Sequence, residues 1–385
     1  MAKSTEPCDA ADDCNLNLER DLLLVPLGTV LVTGGSGGLA NQILLLLTSR
    51  RVCSHLHSLD LRAPPEPING VHYHSADLTD EAAVRQLFDN IHPDVVIHCA
   101  SPRFDAPKHV MHKVNVDGTR ILISAAKDSG TKAFVYTSSA SVISDAWTDL
   151  RGADESYPLV MGDQQPEFYT HTKAQAETHV LSQNRPATHP DFLTTAIRPS
   201  GIFGCGDSYV LPGIIAAYRA GRTNFQLGDN ENLFDFTENT NVAHAHHLAA
   251  AALIKSSRTE NLVGEEAEDE ETRVDGEAFF ITNDQPLPFW TFTRLAWAYA
   301  GDQTKAEQIW RIPRTWAMVI AGMLEWTFWA LRLGDPPLSR QKVRLSCMTR
   351  WYSIAKAKRR LGYRPLVELR EGLRRGVEDC VGRGG

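Results

Sequence analysis

A glycine turn set between a β-branched strand and an apolar helix leaves this chain few architectures. Thr29-Val-Leu-Val-Thr33 is apolar at consecutive positions, as expected of a parallel strand buried on both faces. Gly34-Gly-Ser-Gly-Gly-Leu-Ala40 follows at once, and then Ile43-Leu-Leu-Leu-Leu47. Starting at Gly35 the turn fits G-x-G-x-x-G/A. With Gly34 as its first glycine it fits T-G-x-x-G-x-x-A. Strand, turn and helix in this order are what a dinucleotide site requires. The glycines allow a tight turn and close approach to a pyrophosphate, and the helix start offers N–H groups and a positive dipole end. Ala40 takes the third small position, where helix and strand pack.

The segments beyond the turn keep alternating. A strand around His57–Asp60 ends in an acid 23 positions after Gly37, near the spacing of a carboxylate that binds the adenosine ribose. Asp60 therefore argues for NAD, while the nearby Arg62 leaves NADP open. Further strands are expected at 71–77, 94–100, 132–138 and 192–198, the last stopping at Pro199. Helices are expected at 81–90, 108–129 and 168–183, with Thr79 or Asp80 capping the first. This alternation predicts an α/β fold, a Rossmann-type doubly wound parallel sheet over 27–200. A smaller, mostly helical substrate-binding part is expected over 201–385, with helices near 241–254, 288–300 and 353–361 and a strand near 277–282.

The 385 residues carry a net charge of −8 and no basic run interleaved with aromatics, which excludes a general nucleic-acid binder. Seven scattered cysteines without a Cys-x-x-Cys pair point to a reducing compartment, with no disulfide framework and no zinc site. Residues 1–26 are expected to form a disordered tail: the first twenty are polar and acidic, without the basic start and apolar core of a secretory signal. The acidic stretch 260–275 is expected to be a solvated, mobile loop. The 315–333 segment is apolar and carries Trp316, Trp326 and Trp329, but Glu325 and Arg332 interrupt it. It suits an interfacial helix, the wall of a greasy pocket or a buried helix better than a membrane span. His244-Ala-His-His247 does not converge three rings when helical, so no metal is expected.

Tyr169-Thr-His-Thr-Lys173 carries the chemistry. On a helix, Tyr169 and Lys173 share one face and His171 turns away from it. A tyrosine of pKa about 10 is a poor base at neutral pH. An ammonium beside it favours the phenolate, and such a tyrosine can take a proton from an alcohol or return one to a ketone.

The glycine turn, Asp60, Asp77-Leu78, His98-Cys-Ala-Ser101, Asn115, Tyr136-Thr-Ser-Ser139 and Tyr169/Lys173 together resemble an extended short-chain dehydrogenase/reductase of the 3β-hydroxysteroid dehydrogenase branch. Asp235-Phe-Thr, Asn241-Val-Ala-His-Ala-His246, the stretch 279–290 and Leu361-Gly-Tyr-Arg-Pro365 are similar to the decarboxylating sterol-4α-carboxylate 3-dehydrogenases. Three positions depart from that pattern. Gly38 stands where a bulky apolar residue is usual, Ala40 where glycine is usual, and Cys205 where proline is usual. A relative serving a specialised triterpenoid pathway fits equally well.

The resemblance implies Tyr169 as acid/base, with Lys173 lowering its pKa and binding the nicotinamide ribose. Ser139, the last serine of the hydroxyl cluster, would hold the substrate oxygen in preference to Ser138. Asn115 would support the site through backbone or water. Cofactor contacts are implied at Gly34, Gly35, Ser36, Gly37, Gly38, Leu39, Asp60, Asp77, Leu78, Ala100 and Ser101, with Pro199 to Ile202 near the carboxamide. The implied reaction is NAD-dependent oxidation of a 3β-hydroxyl with loss of a 4-carboxylate, on a sterol or triterpenoid carboxylate. Peripheral association with the cytoplasmic face of the endoplasmic reticulum membrane is expected, and a homodimer is compatible with the sequence. The competing readings are a 3β-hydroxysteroid dehydrogenase without decarboxylation, a nucleotide-sugar epimerase, and a non-catalytic dinucleotide-sensing regulator. The intact Ser139, Tyr169 and Lys173 oppose the last.

Overall fold

Val30 and Val32 point into one apolar layer and Leu31 into the other, and all three are fully buried. A strand clad on both faces must pair on both edges, and this strand does. In the computed structural model, which describes residues 10–259 and 272–383, it is β1 (Gly28–Thr33), an interior strand of a seven-stranded parallel sheet. The other strands are β2 (Cys53–Asp60), β3 (Val71–Ser75), β4 (Val95–His98), β5 (Ala133–Thr137), β6 (Leu193–Pro199) and β7 (Ala278–Ile281). Their order is β7-β6-β5-β4-β1-β2-β3. Val30 aligns with Leu56 of β2 on one side and Val95 of β4 on the other. The order reverses between β1 and β4, which opens a crevice beyond their carboxyl ends, where doubly wound sheets bind ligands.

Three expectations need correction. The sequence boundary at 200 cuts through the sheet layer, because β7 comes from 278–281 and the helix Asn239–Thr259 packs on the helix Gly38–Arg50. The disordered tail gives way to a helix, Ala10–Leu23, in its described part. Leu22 is buried and Leu18 and Leu23 pack on the core, so this short amphipathic stretch has an apolar face to cover. The Glu19 carboxylate lies 3.0 Å from His244 Nε2, and Arg50 bridges to His244 and His247. The acidic stretch lies largely outside the described residues, but its end is not solvated. Asp275 is buried, accepts from Arg185 Nε at 2.7 Å and from Asn184 Nδ2 at 2.7 Å, and its pKa is lowered to about 2. Desolvation is the largest single influence and acts upward, and the summed hydrogen bonds and charge of Arg185, Asn184 and Arg273 outweigh it.

The expected long helix over 108–129 is interrupted. Lys108–His112 is α-helical, Lys113–Gly118 is a π-turn and Thr119–Asp128 is α-helical again. Such a bulge widens one turn of the helix and re-aims the side chains on it.

Candidate active site

The glycine turn joins β1 to the helix Gly38–Arg50 beside the crevice. Gly34 has φ +80°, and a Cβ there would stand 2.8 Å from Ala100 Cα. The ends of β1 and β4 therefore touch, and only glycine permits it. Ser36 N–H donates to Asp60 Oδ2 at 2.9 Å and Ser36 Oγ–H to the Arg62 carbonyl at 2.7 Å, which holds the turn against the end of β2. Gly37 precedes the helix and has no side chain to cap it, so the first N–H groups stay open to a ligand. Leu39 lies in the first turn of that helix. Asp77 accepts from Thr79 N–H and Oγ–H, which lowers its pKa, and Leu78 is buried against Gly118.

The departures at Gly38 and Cys205 turn out to be neighbours. A Cβ on Gly38 would lie 2.5 Å from the Gly206 carbonyl oxygen. The loop after Phe203 thus lies directly on the helix start, in the space a bulky residue at 38 would fill. Cys205 supplies a carbonyl that accepts from Asn239 Nδ2.

The helix Phe168–Ser182 carries Tyr169, Lys173 and Glu177 as one stripe facing the sheet. Tyr169 is half-buried, and its hydroxyl faces Ser101 and feels Tyr209. Lys173 is buried, but its ammonium does not turn to Tyr169. It donates to the Thr137 carbonyl at 2.5 Å and lies 4.5 Å from the Tyr136 ring centroid. Burial pushes the Lys173 pKa down to about 8. Burial also raises the Tyr169 pKa, with Ser101 acting the other way, so the lowering expected from Lys173 is absent in this arrangement. The sequence spacing places the two groups on one face but does not fix where a four-carbon stem ends.

Asn115 lies in the π-turn, fully buried. Its Nδ2–H donates to Thr172 Oγ1 at 2.9 Å, and Thr172 Oγ–H donates to the Tyr169 carbonyl at 2.7 Å. Asn115 Oδ1 has no partner. Ser139 Oγ accepts from Ser141 N–H at 3.2 Å, capping a short 3-10 turn, which leaves its hydroxyl proton free to donate. Ser138 is buried with its Oγ unpartnered. Pro199 ends β6 and Ile202 starts a two-residue strand, both beyond the carboxyl edge of the sheet. His171 Nδ1 accepts from Gly162 N–H, away from Lys173. Of the histidine triplet, His244 and His247 share Arg50, while His246 Nε2 meets Thr137 Oγ1 at 2.7 Å.

Sequence reasoning missed Tyr209, the Asn115–Thr172 link and the buried pair Glu177–Arg198. Only the pair left a signal: Glu177 follows Lys173 by one helical turn, and Arg198 immediately precedes Pro199.

The model of the 3-beta hydroxysteroid dehydrogenase/isomerase family matches residues 31–314. The sterol-4-alpha-carboxylate 3-dehydrogenase, decarboxylating, of Schizosaccharomyces pombe is 37% identical over 355 residues, covering 91% of this chain and 97% of its own. Its Saccharomyces cerevisiae counterpart is 37% identical, covering 90% and 95%. In fold, the UDP-glucose 4-epimerase of Thermotoga maritima superposes with a TM-score of 0.65 at 17% identity, over 93% of this chain and 100% of that one. With its family-wide match and these full-length relatives, the chain belongs to the 3-beta hydroxysteroid dehydrogenase/isomerase family.

Proposed function

We propose that this protein oxidises the 3β-hydroxyl of a 4-carboxy sterol or triterpenoid with NAD, and that the C4 carboxylate leaves as CO2. One observation supports the reading: Tyr169 and Lys173 share one face of the helix Phe168–Ser182, in a doubly wound fold whose full-length relatives bear the name of that activity. The glycine turn fits a dinucleotide, since Gly37 brings no capping side chain and the helix behind it begins with open N–H groups. Gly34, Gly35, Ser36, Gly37, Gly38 and Leu39 would hold the pyrophosphate. Asp60 would take the ribose hydroxyls, and its charge disfavours the 2′-phosphate of NADP. Asp77, Leu78, Ala100, Ser101, Pro199 and Ile202 complete that cradle. A bound NAD would supply the hydride acceptor for C3.

The residues of the chain do the rest. Tyr169 receives the hydroxyl proton as the C3–O bond becomes a carbonyl. Lys173, one helical turn from Tyr169, would hold the nicotinamide ribose, and to favour the phenolate its ammonium has to leave the Thr137 carbonyl. Ser139 donates to the same oxygen. The product is a β-keto acid, in which the C4–carboxylate bond breaks and its electrons pass into the C3 enolate. Tyr169 and Ser139, as donors to that oxygen, would stabilise the enolate until C4 is protonated. The test is to supply NAD and a 4α-carboxy-3β-hydroxy sterol and follow NADH and loss of the carboxyl mass in one sample. Both are expected. NADH with the carboxylate retained identifies a plain 3β-hydroxysteroid dehydrogenase instead.

The substrate class also accounts for the helix Arg314–Leu331. It rests on the body through Ala317 and Ala321 and turns Trp316, Val319, Ile320, Met323, Trp326 and Trp329 outward, Trp329 being 77% exposed. Among the described residues no helix is long and apolar enough to cross a membrane. We place this face in the headgroup region of the endoplasmic reticulum membrane, on its cytoplasmic side. The protein is expected to float with liposomes, and replacing Trp316, Trp326 and Trp329 together by Glu abolishes flotation. Recovery of all the wild type in a lipid-free supernatant despite added liposomes contradicts the assignment.

A further inference from the structure

The segment between β4 and the π-turn, 101–108, carries two cations to the rim of the Tyr169 site. Each lies over an aromatic ring, Lys108 over Phe168 and Arg103 over Tyr209. Lys108 Nζ lies 5.4 Å from the centroid of Phe168, the residue before Tyr169. The Arg103 guanidinium lies 5.0 Å from the ring of Tyr209, and Tyr209 is the group whose charge Tyr169 feels. Phe104 packs on the same Tyr209 ring at 5.5 Å. The helices that begin at Lys108 and Phe168 pack against each other, so the placement of Lys108 is set by the same packing that sets Tyr169.

The ionic partners are unequal. Arg103 is held by Asp105 through two contacts of 3.0 Å, which use two of its five donors. Lys108 has no carboxylate partner among the described residues. The nearest acid in sequence to Phe168, Glu167, is turned to Thr170 and Gln341. Lys108 is exposed and is therefore open to an anion from outside.

We propose that Lys108 and Arg103, the two cations of this segment, form a carboxylate subsite that reads the C4 carboxylate of the substrate. This inference rests on the proposed function. The carboxylate is borne on the carbon next to the one that carries the reacting hydroxyl. When that hydroxyl meets Tyr169, the carboxylate must therefore lie beside it, on the rim where Phe168 and Tyr209 stand. A charge-assisted contact there positions the substrate in the ground state. Because the bond to the carboxylate later breaks, it acts on binding more than on the chemical step.

The test compares two sterols on the full-length protein with NAD: a 4α-carboxy-3β-hydroxy sterol and the same sterol with methyl in place of the carboxylate. The readout is the ratio of their KM values. In Lys108→Met the KM ratio of carboxylate over methyl sterol rises about tenfold, as expected for a lost contact between charged groups. Arg103→Met moves it in the same direction, and Lys108→Arg restores it to near the wild-type ratio. In the wild type, added salt erodes the preference, since the cations are exposed. If the ratio stays at the wild-type value in Lys108→Met and Arg103→Met while the wild type turns over the carboxylated sterol, the subsite is wrong and the proposed function stands. If the wild type turns over neither sterol, both are wrong.

Discussion

Tyr169→Phe is expected to lower kcat by about 10²–10⁴-fold, the span that a positioned acid or base contributes. The substitution removes one oxygen and leaves the ring, so the packing beside Phe168 and Ser101 survives. What disappears is the group that takes the hydroxyl proton and then donates to the enolate oxygen. Oxidation and CO2 release should therefore fall together, because both act through the same C3 oxygen. Steady-state rates of NADH formation and CO2 release on one substrate check this. A variant that retains near wild-type turnover would remove Tyr169 from the mechanism. A variant that loses NADH formation but still decarboxylates added 3-keto acid at the wild-type rate would separate the two steps and contradict a shared site.

Glu177→Ala is expected to cost about 3–5 kcal/mol of stability, the range for breaking one side of a buried ion pair. Glu177 is fully buried, and its carboxylate takes Arg198 Nη2–H at 2.5 Å and Arg198 Nε–H at 3.0 Å. Arg198 is itself buried, with its guanidinium 5.3 Å from the Phe280 ring. Removing the acid strands a buried charge without its partner. The pair also ties the helix Phe168–Ser182 to the carboxyl end of β6, one turn from Lys173, so activity should fall with stability. Urea unfolding measures the cost as a lowered midpoint at constant slope. The double variant Glu177→Met/Arg198→Met should recover most of the loss, because it removes both charges. A single variant within about 0.5 kcal/mol of wild type, the range of an ordinary surface change, would contradict this role.

The sheet was legible because its strands announce themselves. Val30, Leu31 and Val32 are apolar at consecutive positions, and the turn after them can be nothing but glycine where Gly34 meets Ala100. The seventh strand was seen, but its return to the sheet was not, since a pattern of apolar residues does not say which edge it joins. The helix Ala10–Leu23 was hidden by composition. Its few leucines are sparse among polar residues, and its anchor, Glu19 against His244, spans 225 positions. In the site, the residue types were legible and their reach was not. Tyr169 and Lys173 share a helix face as the spacing requires, yet Lys173 ends at the Thr137 carbonyl, a choice made by burial. Tyr209 left no sequence signal, because it arrives on a loop whose approach depends on Gly38 having no side chain.

The central claim is that one site oxidises C3 and releases the neighbouring carboxylate. The most direct measurement is a single turnover with excess enzyme and NAD on a 4α-carboxy-3β-hydroxy sterol labelled with ¹³C in its carboxyl group. One labelled CO2 is expected for each NADH formed, with both products suppressed in Tyr169→Phe. NADH accompanied by an intact labelled carboxylate would contradict it.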